Sequence, residues 1–453
     1  MSWMKSRIAV SPIHAEVVNW KKNEMRRSVI MSILWRNRLF QAAGSLTLAV
    51  FMLSASLGGK PSAIHAASSS PPEPFRIVSL GDSLTVGYEP GMDLNSKPYG
   101  FVERLLEQGL LHGRTETVNL GIAGLKVEGL KHYVQAIADG RSVTADDIQP
   151  LIPDPRTEQI GREAPAARAF IEKADLITVT IGGNDMYNLT SMAGAANADE
   201  LAKLTGELFE LYTLNVTEVV HRLHSMNPDA VIVLADQYNP IPELAGKALY
   251  AKLNQAAALF TGHIEGLAKQ FSQQGISVKV APVAKEFVGR EMTMTHILRL
   301  EDIHPNQYGY ETMAKVFANT IWGSYTKPAA AEPGQPMNII VNGKVLNTPY
   351  KPVLVKNQNY VAIQDIVNAI GATTVWSNET LSATVTYKGR TVVITIGSNH
   401  IKVNGSPVPL TTPAFLHKVG KEHKTYVPLS ALVQGLGLDV QYHQKLKTVF
   451  INP

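Results

Sequence analysis

The chain reads as an α/β protein with a parallel sheet, followed by a smaller α+β domain built from a repeat, and three observations predict this. Strand-like and helix-like segments alternate from residue 75 to about 325. The segment TKPAAAEPGQP (326–336) has the composition of an interdomain linker. Beyond it the texture changes to short, β-branched, alternating strands that repeat themselves. At 453 residues, two or more domains are expected.

In the first domain FRIVSL, ETVNL, LITVTIG, AVIVLAD and ISVKVAP are Val-, Ile- and Leu-rich runs. Such runs suit strands covered on both faces. Between them lie helical patterns: YGFVERLLEQGLL, ELAKLTGELFELYTLNVTEVVHRLHSM and LYAKLNQAAALFTGHIEGLAKQFSQQ. Strands alternating with long helices argue for a parallel sheet between helical layers.

In the tail, Val341-Asn342-Gly343 recurs as Val403-Asn404-Gly405. Tyr360-Val361-Ala362-Ile363 and the DIVNAIGATTVW after it recur as Tyr426-Val427-Pro428-Leu429 and ALVQGLGLDVQY. Gly371 matches Gly437, and Trp376 matches Tyr442. A period of roughly sixty residues, strands around one short helix, is a duplicated module.

The N-terminal segment speaks to compartment. Basic residues, among them Lys21, Lys22, Arg26 and Arg27, precede the apolar run LFQAAGSLTLAVFMLSASLGG (39–59), and small residues follow as far as Ala66. That order is the plan of a secretory signal peptide. A retained membrane anchor is the alternative, since the run approaches bilayer length. Met25 and Met31 stand as alternative starts. The predicted division is an export segment (1–66), a linker (67–74), the α/β domain (75–325), a second linker (326–336) and the repeat domain (337–453). The expected location is secreted or attached to the cell envelope.

The net charge is +4, from 42 basic and 38 acidic residues. Much of the excess lies in the N-terminal segment, and no KH, RRM or zinc-finger pattern is present, so nucleic acid is not an expected partner. The chain has no cysteine. Disulfides, thiolate nucleophiles, iron–sulfur clusters and Cys-based zinc sites are therefore excluded.

Four clusters fall at strand or helix ends of the first domain. GDS (81–83) follows the first strand, NLGIAG (119–124) the second, and TIGGND (180–185) the third, while EDIHPN (301–306) precedes the last helix. Taken singly, each reads as an ordinary turn, with Ser83 capping a helix in the first. Together, in this order, they place a hydroxyl, a glycine turn, an amide and an imidazole at the edge where open α/β sheets carry their chemistry.

These blocks resemble those of the GDSL or SGNH hydrolases, serine esterases and lipases on a flavodoxin-like three-layer fold. The resemblance covers residues 75 to about 325. It implies Ser83 as nucleophile and His304 as base, with an oxyanion hole formed by the N–H groups of Ser83 and Gly124 and the amide of Asn184. A serine hydroxyl needs a base to take its proton, and fixed donors must meet the charge of the tetrahedral intermediate. Asp82 is expected to brace the corner. The family's last block reads Asp-x-x-His, which puts Glu301 at the acid position. Asp302 is the alternative acid, and a Ser–His dyad with a backbone carbonyl is a third arrangement. No cofactor is implied.

The tail is similar to the copper amine oxidase N-terminal-like stalk domains of exported bacterial proteins. Its His400, His417, His423 and His443 lack metal-ligand spacing, so no metal is expected and the tail reads as a spacer or envelope-binding module. Deleting it is expected to spare turnover of small esters, because all four blocks precede the linker. The substrates implied are acyl lipids, short-chain esters or O-acetylated glycans. The stretch 138–165, an apparent insertion between the second and third blocks, is placed to roof the site. The rival reading is a catalytically inactive envelope-binding protein on the same scaffold.

Overall fold

The computed structural model describes residues 73–186, 198–328 and 331–452. The predicted export segment, 1–66, lies outside them. Asp93–Ser96 forms a separate small turn, closed by the Ser96 N–H donating to the Asp93 carbonyl at 3.1 Å.

The first domain runs β1 (Phe75–Gly81), α1 (Ser83–Val86), α2 (Phe101–His112), β2 (Thr115–Gly121) and α3 (Val127–Ala138). It continues with α4 (Ala164–Ile171), β3 (Leu176–Thr180), α5 (Ala198–Met226), β4 (Val231–Ala235), α6 (Lys247–Gln273) and β5 (Val278–Ala281). A two-stranded ribbon, β6 (Thr295–His296) and β7 (Asp302–Pro305), precedes the closing helix α7 (Gln307–Trp322). Strands β1 to β5 form one parallel sheet in the order 2-1-3-4-5. That is the doubly wound, flavodoxin-like order, whose switch point lies between β1 and β3.

Side chains alternate across each strand, so the two faces of the sheet build separate cores. From β1, Val78 and Leu80 enter a cluster with Tyr133, Val134, Val216 and Ile264 of α3, α5 and α6. Ile77 enters the opposite cluster with Phe101, Leu105, Tyr310 and Phe317 of α2 and α7, where Phe101 and Phe317 stack at 4.7 Å. Each such fully buried side chain contributes about 1.5–3 kcal/mol by its removal from water. The apolar runs of β1, β3 and β4 are thus strands buried on both sides, whereas β2 and β5, expected to be buried as well, lie at the sheet edges and are partly exposed.

Register decides where the chemistry falls. Gly81 lies opposite Gly121 on one side and Thr180 on the other. The ends of β1, β2 and β3 are therefore level, and the three blocks that follow them meet at one carboxyl edge.

The tail is mostly β, with three sheets and two short helices, Ile363–Ile370 and Leu429–Gly435, sharing one core. The repeats interleave: Tyr360, Val361 and Ala362 pair antiparallel with Pro428, Val427 and Tyr426. Both VNG segments are tight hairpin turns with positive φ at Asn and Gly (48° and 73° at 342–343, 48° and 85° at 404–405), which is why Asn-Gly is used there.

Although read as a spacer, the tail packs directly on α2. Leu110, Ile340 and Phe450 form a buried cluster backed by Leu106, Leu111 and Leu446. Gln441 Nε2 donates to the Thr115 carbonyl at 2.9 Å, and Arg114 lies 3.5 Å from Asp439. His443 Nε2 stands 3.3 Å from Glu107, which also accepts from the Tyr99 hydroxyl at 2.7 Å. Burial pushes Glu107 up to about 7 and His443 below its ordinary value, so this buried contact favours neutral partners over an ion pair.

Candidate active site

At the end of β1 the N-cap of α1 is Asp82. Its Oδ1 accepts the Leu84 N–H at 3.0 Å and the Thr180 hydroxyl at 2.9 Å. The capping alternative for Ser83 therefore gives way, because the preceding carboxylate already fills that role. Ser83 is the first residue of the helix, and its hydroxyl lies 2.9 Å from Nε2 of His304.

His304 is carried on β7, just before α7, whose N-cap Asn306 accepts from the N–H groups of Tyr308 and Gly309. Residues two apart on a strand share a face. Asp302 and His304 accordingly face the same way, with exposed Ile303 between them. Oδ1 of Asp302 accepts both the backbone N–H of His304 at 2.8 Å and the imidazole Nδ1 at 2.9 Å. A carboxylate at Nδ1 keeps the proton there and leaves the Nε2 lone pair for Ser83.

The carboxylate that this geometry brings to His304 is that of Asp302, the alternative acid, and not that of Glu301, the one expected first. Glu301 is exposed, takes a left-handed backbone with φ 54°, and makes no hydrogen bond to His304 among the described residues. It sits before the strand, in the turn that reverses the chain, so its side chain is out of phase with His304. The carboxylate bonded to His304 thus stands two residues before it instead of three. Tyr88 presents its ring to the imidazole at 4.7 Å and an interplanar angle of 63°, packing that helps hold the ring in place.

Gly124 lies in the turn after β2 with φ 79°, a conformation that favours glycine. Asn184 donates from Nδ2 to the Leu125 carbonyl at 2.9 Å, and Asp185 accepts the Val127 N–H at 3.1 Å. The third block is thus stitched to the second. Among the described residues, the N–H groups of Ser83 and Gly124 have no protein acceptor. Both remain available to a substrate oxygen.

The charges around the site are set by burial. Asp82 is pushed up to about 7, chiefly by burial, against the bonds from Leu84 and Thr180 and the field of His304. Burial likewise raises Asp185 to about 6. Burial also acts to raise Asp302, but its hydrogen bond to His304 and the histidine's charge outweigh it, and the carboxyl ends below its ordinary value. Among these carboxyls, Asp302 is the one whose ionised form is favoured beside His304. Among the described residues no group of three or more His, Asp or Glu side chains is gathered to hold a metal ion.

The model of the GDSL-like Lipase/Acylhydrolase family matches residues 79–312. The chain belongs to the GDSL-like lipase/acylhydrolase family. The model of the copper amine oxidase N-terminal domain matches residues 340–451. No curated protein matches the chain. Among solved structures, this GDSL-family chain is similar to the lipase Lip_vut3 from a goat rumen metagenome, at 20% identity and a TM-score of 0.38, over 54% of this chain and 97% of that one. It is similar to an extracellular lipase from Streptomyces rimosus at 16% identity and TM-score 0.36, over 54% and 99% of the two chains. It is also similar to a family 3 carbohydrate esterase of Clostridium thermocellum, at 16% identity and TM-score 0.31, over 55% and 96%. As a GDSL-like hydrolase, the chain is an enzyme acting on esters.

Sequence reasoning on this GDSL-like domain missed the packing of Tyr88 on His304, although Tyr88 stands only five residues after Ser83. It also missed a polar chain behind the base. Gln307 donates to Glu89 at 2.6 Å, Glu89 lies 3.1 Å from His296, and Arg104 donates to the Gln307 side chain at 2.9 Å. No local pattern marks these residues, since the partners are some two hundred positions apart in the chain.

Proposed function

We propose that the protein is an exported serine carboxyl-ester hydrolase in which Ser83 is the nucleophile, His304 the base and Asp302 the orienting acid. The carrying observation is the run of two 2.9 Å contacts, Ser83 Oγ to His304 Nε2 and His304 Nδ1 to Asp302 Oδ1. In this reading His304 Nε2 takes the Ser83 proton as Oγ bonds to the ester carbonyl carbon. The carbonyl oxygen becomes an oxyanion, met by the N–H groups of Ser83 and Gly124 and by Asn184. One such donor contributes about 3 kcal/mol to the transition state. Collapse breaks the bond to the alcohol oxygen, which leaves with the proton from Nε2. Water then repeats the sequence on the acyl-enzyme and releases the carboxylic acid and free Ser83.

For substrate we favour short-chain esters or O-acetyl groups on glycans over long acyl lipids. A cavity of about 260 Å³ near the Gly124 turn, which Ser83 and His304 do not line, has Lys126, Glu128, His132 and Asp185 beside Ile148, Pro150, Leu208 and Leu211. Should a substrate extend from Ser83 into this cavity, its mixed lining favours small or polar groups. Export is supported by the basic, apolar and small-residue order of residues 1–66. Envelope contact through the tail is supported by its exposed Val375, Trp376 and Tyr442. Against an inactive binding protein stands the Ser83–His304 contact, which binding alone does not require.

Hydrolysis of a chain-length series of p-nitrophenyl esters tests this reading. Ser83→Ala and His304→Ala are each expected to abolish turnover with unchanged melting temperature. Equal rates for wild type and Ser83→Ala would remove the nucleophile assignment.

A further inference from the structure

We infer that the segment 139–163 aims the Gly124 N–H at the reacting oxygen, with Gln149 and Asp154 as positioning residues. The inference rests on the role given above to Gly124. A glycine at φ 79° is conformationally free, so its N–H is an accurate donor only if the turn is held from outside.

The hold is specific. Asp154, 6% exposed, accepts the Ala123 N–H at 2.9 Å. Gln149 donates from Nε2 to the Gly124 carbonyl at 3.0 Å and accepts the Lys126 N–H on Oε1 at 2.8 Å. The peptide unit carrying the Gly124 N–H is therefore pinned on both sides, through the N–H before it and the carbonyl after it. The turn as a body cannot move without breaking one of these bonds. Arg156 completes the brace, gripping Asp154 from Nε at 2.9 Å and reaching the Gly121 carbonyl from Nη2 at 3.2 Å. Pro153 fills the space beside Gly124, where an added Cβ would stand 2.5 Å from its Cγ. One segment thus holds residues 121, 123, 124 and 126. It acts as a brace on the second block, and not merely as the roof its position in the sequence suggested.

The test compares wild type, Gln149→Glu, Asp154→Asn and Ser83→Ala, reading kcat, KM, melting temperature and inhibition by phenylboronic acid, whose serine adduct presents a tetrahedral oxygen. Gln149→Glu keeps the acceptor for Lys126 but loses the donor to the Gly124 carbonyl. We expect it to lower kcat about 10- to 100-fold, the scale of a misplacement near 1 Å. KM should stay within about twofold, the melting temperature should hold, and boronic acid inhibition should weaken by a factor similar to that in kcat. Asp154→Asn should act in the same direction; because Asp154 is buried, Gln149→Glu decides if that variant fails to fold. Unchanged kcat in Gln149→Glu, with Ser83→Ala inactive, would overturn this inference alone. A fall in activity with equal loss of substrate and boronic acid binding would also overturn it, since aim would then not be what was lost. Activity in Ser83→Ala would overturn the catalytic reading and this inference with it.

Discussion

Asp302 and His304 are two residues apart on one face of a short strand, and Oδ1 of the first accepts both the backbone N–H and the Nδ1 of the second. A single carboxylate oxygen thus fixes the backbone and the ring of His304 together. In the proposed mechanism the position of Asp302 as acid follows from strand geometry and departs from the spacing of the family's motif.

Asp302→Asn is expected to lower kcat by roughly two to four orders of magnitude with little change in KM, because a neutral partner neither holds the tautomer nor stabilises the imidazolium. Glu301→Gln should stay within a few-fold of wild type. Glu301→Gly should also stay active, since the left-handed backbone at φ 54° suits glycine. Steady-state kinetics of the three variants at one pH checks the ranking, and the reverse order would return the role to Glu301.

The tail is expected to stabilise the hydrolase domain. Phe450 is fully buried against Leu110 and Ile340, and Phe450→Ala should cost about 3–5 kcal/mol. Residues 73–327 alone should keep kcat on small esters within a few-fold at low temperature, yet melt well below the full chain, because deletion bares Leu106, Leu110 and Leu111. Equal melting temperatures would show that the packing contributes nothing.

Burial raises the Glu107 carboxyl to about 7 in the fold, far above its ordinary range. A group raised in this way favours the folded state at low pH, and that contribution is lost as pH rises from the unfolded value through about 7. Glu107→Gln cannot ionise. Its melting temperature should therefore fall less than that of wild type between pH 5 and pH 8.5, both values being about the limits of a convenient scan. A wild-type decline as shallow as that of Glu107→Gln would place the titration elsewhere.

Much was legible in the sequence because it depends on neighbours along the chain. Parallel strands buried on both faces appear as unbroken apolar runs, helices as 3.6-residue periodicity, and Asn-Gly turns as themselves. The ends of those runs locate Ser83, Gly124, Asn184 and His304 at element boundaries, and the tail's duplication is visible as repeated words. Three things had to wait for tertiary structure. Which of Glu301 and Asp302 meets His304 turned on which residues begin β7, since a shift of one residue moves a side chain to the other face. The fit of the tail on α2 turned on packing between Leu110 and Phe450, more than three hundred positions apart. The brace on Gly124 is made by Gln149 and Asp154 through irregular loops, where no periodicity marks a partner. Sequence pattern determines which faces are apolar and where elements stop, whereas the meeting of side chains depends on register and close packing, which only the folded chain decides.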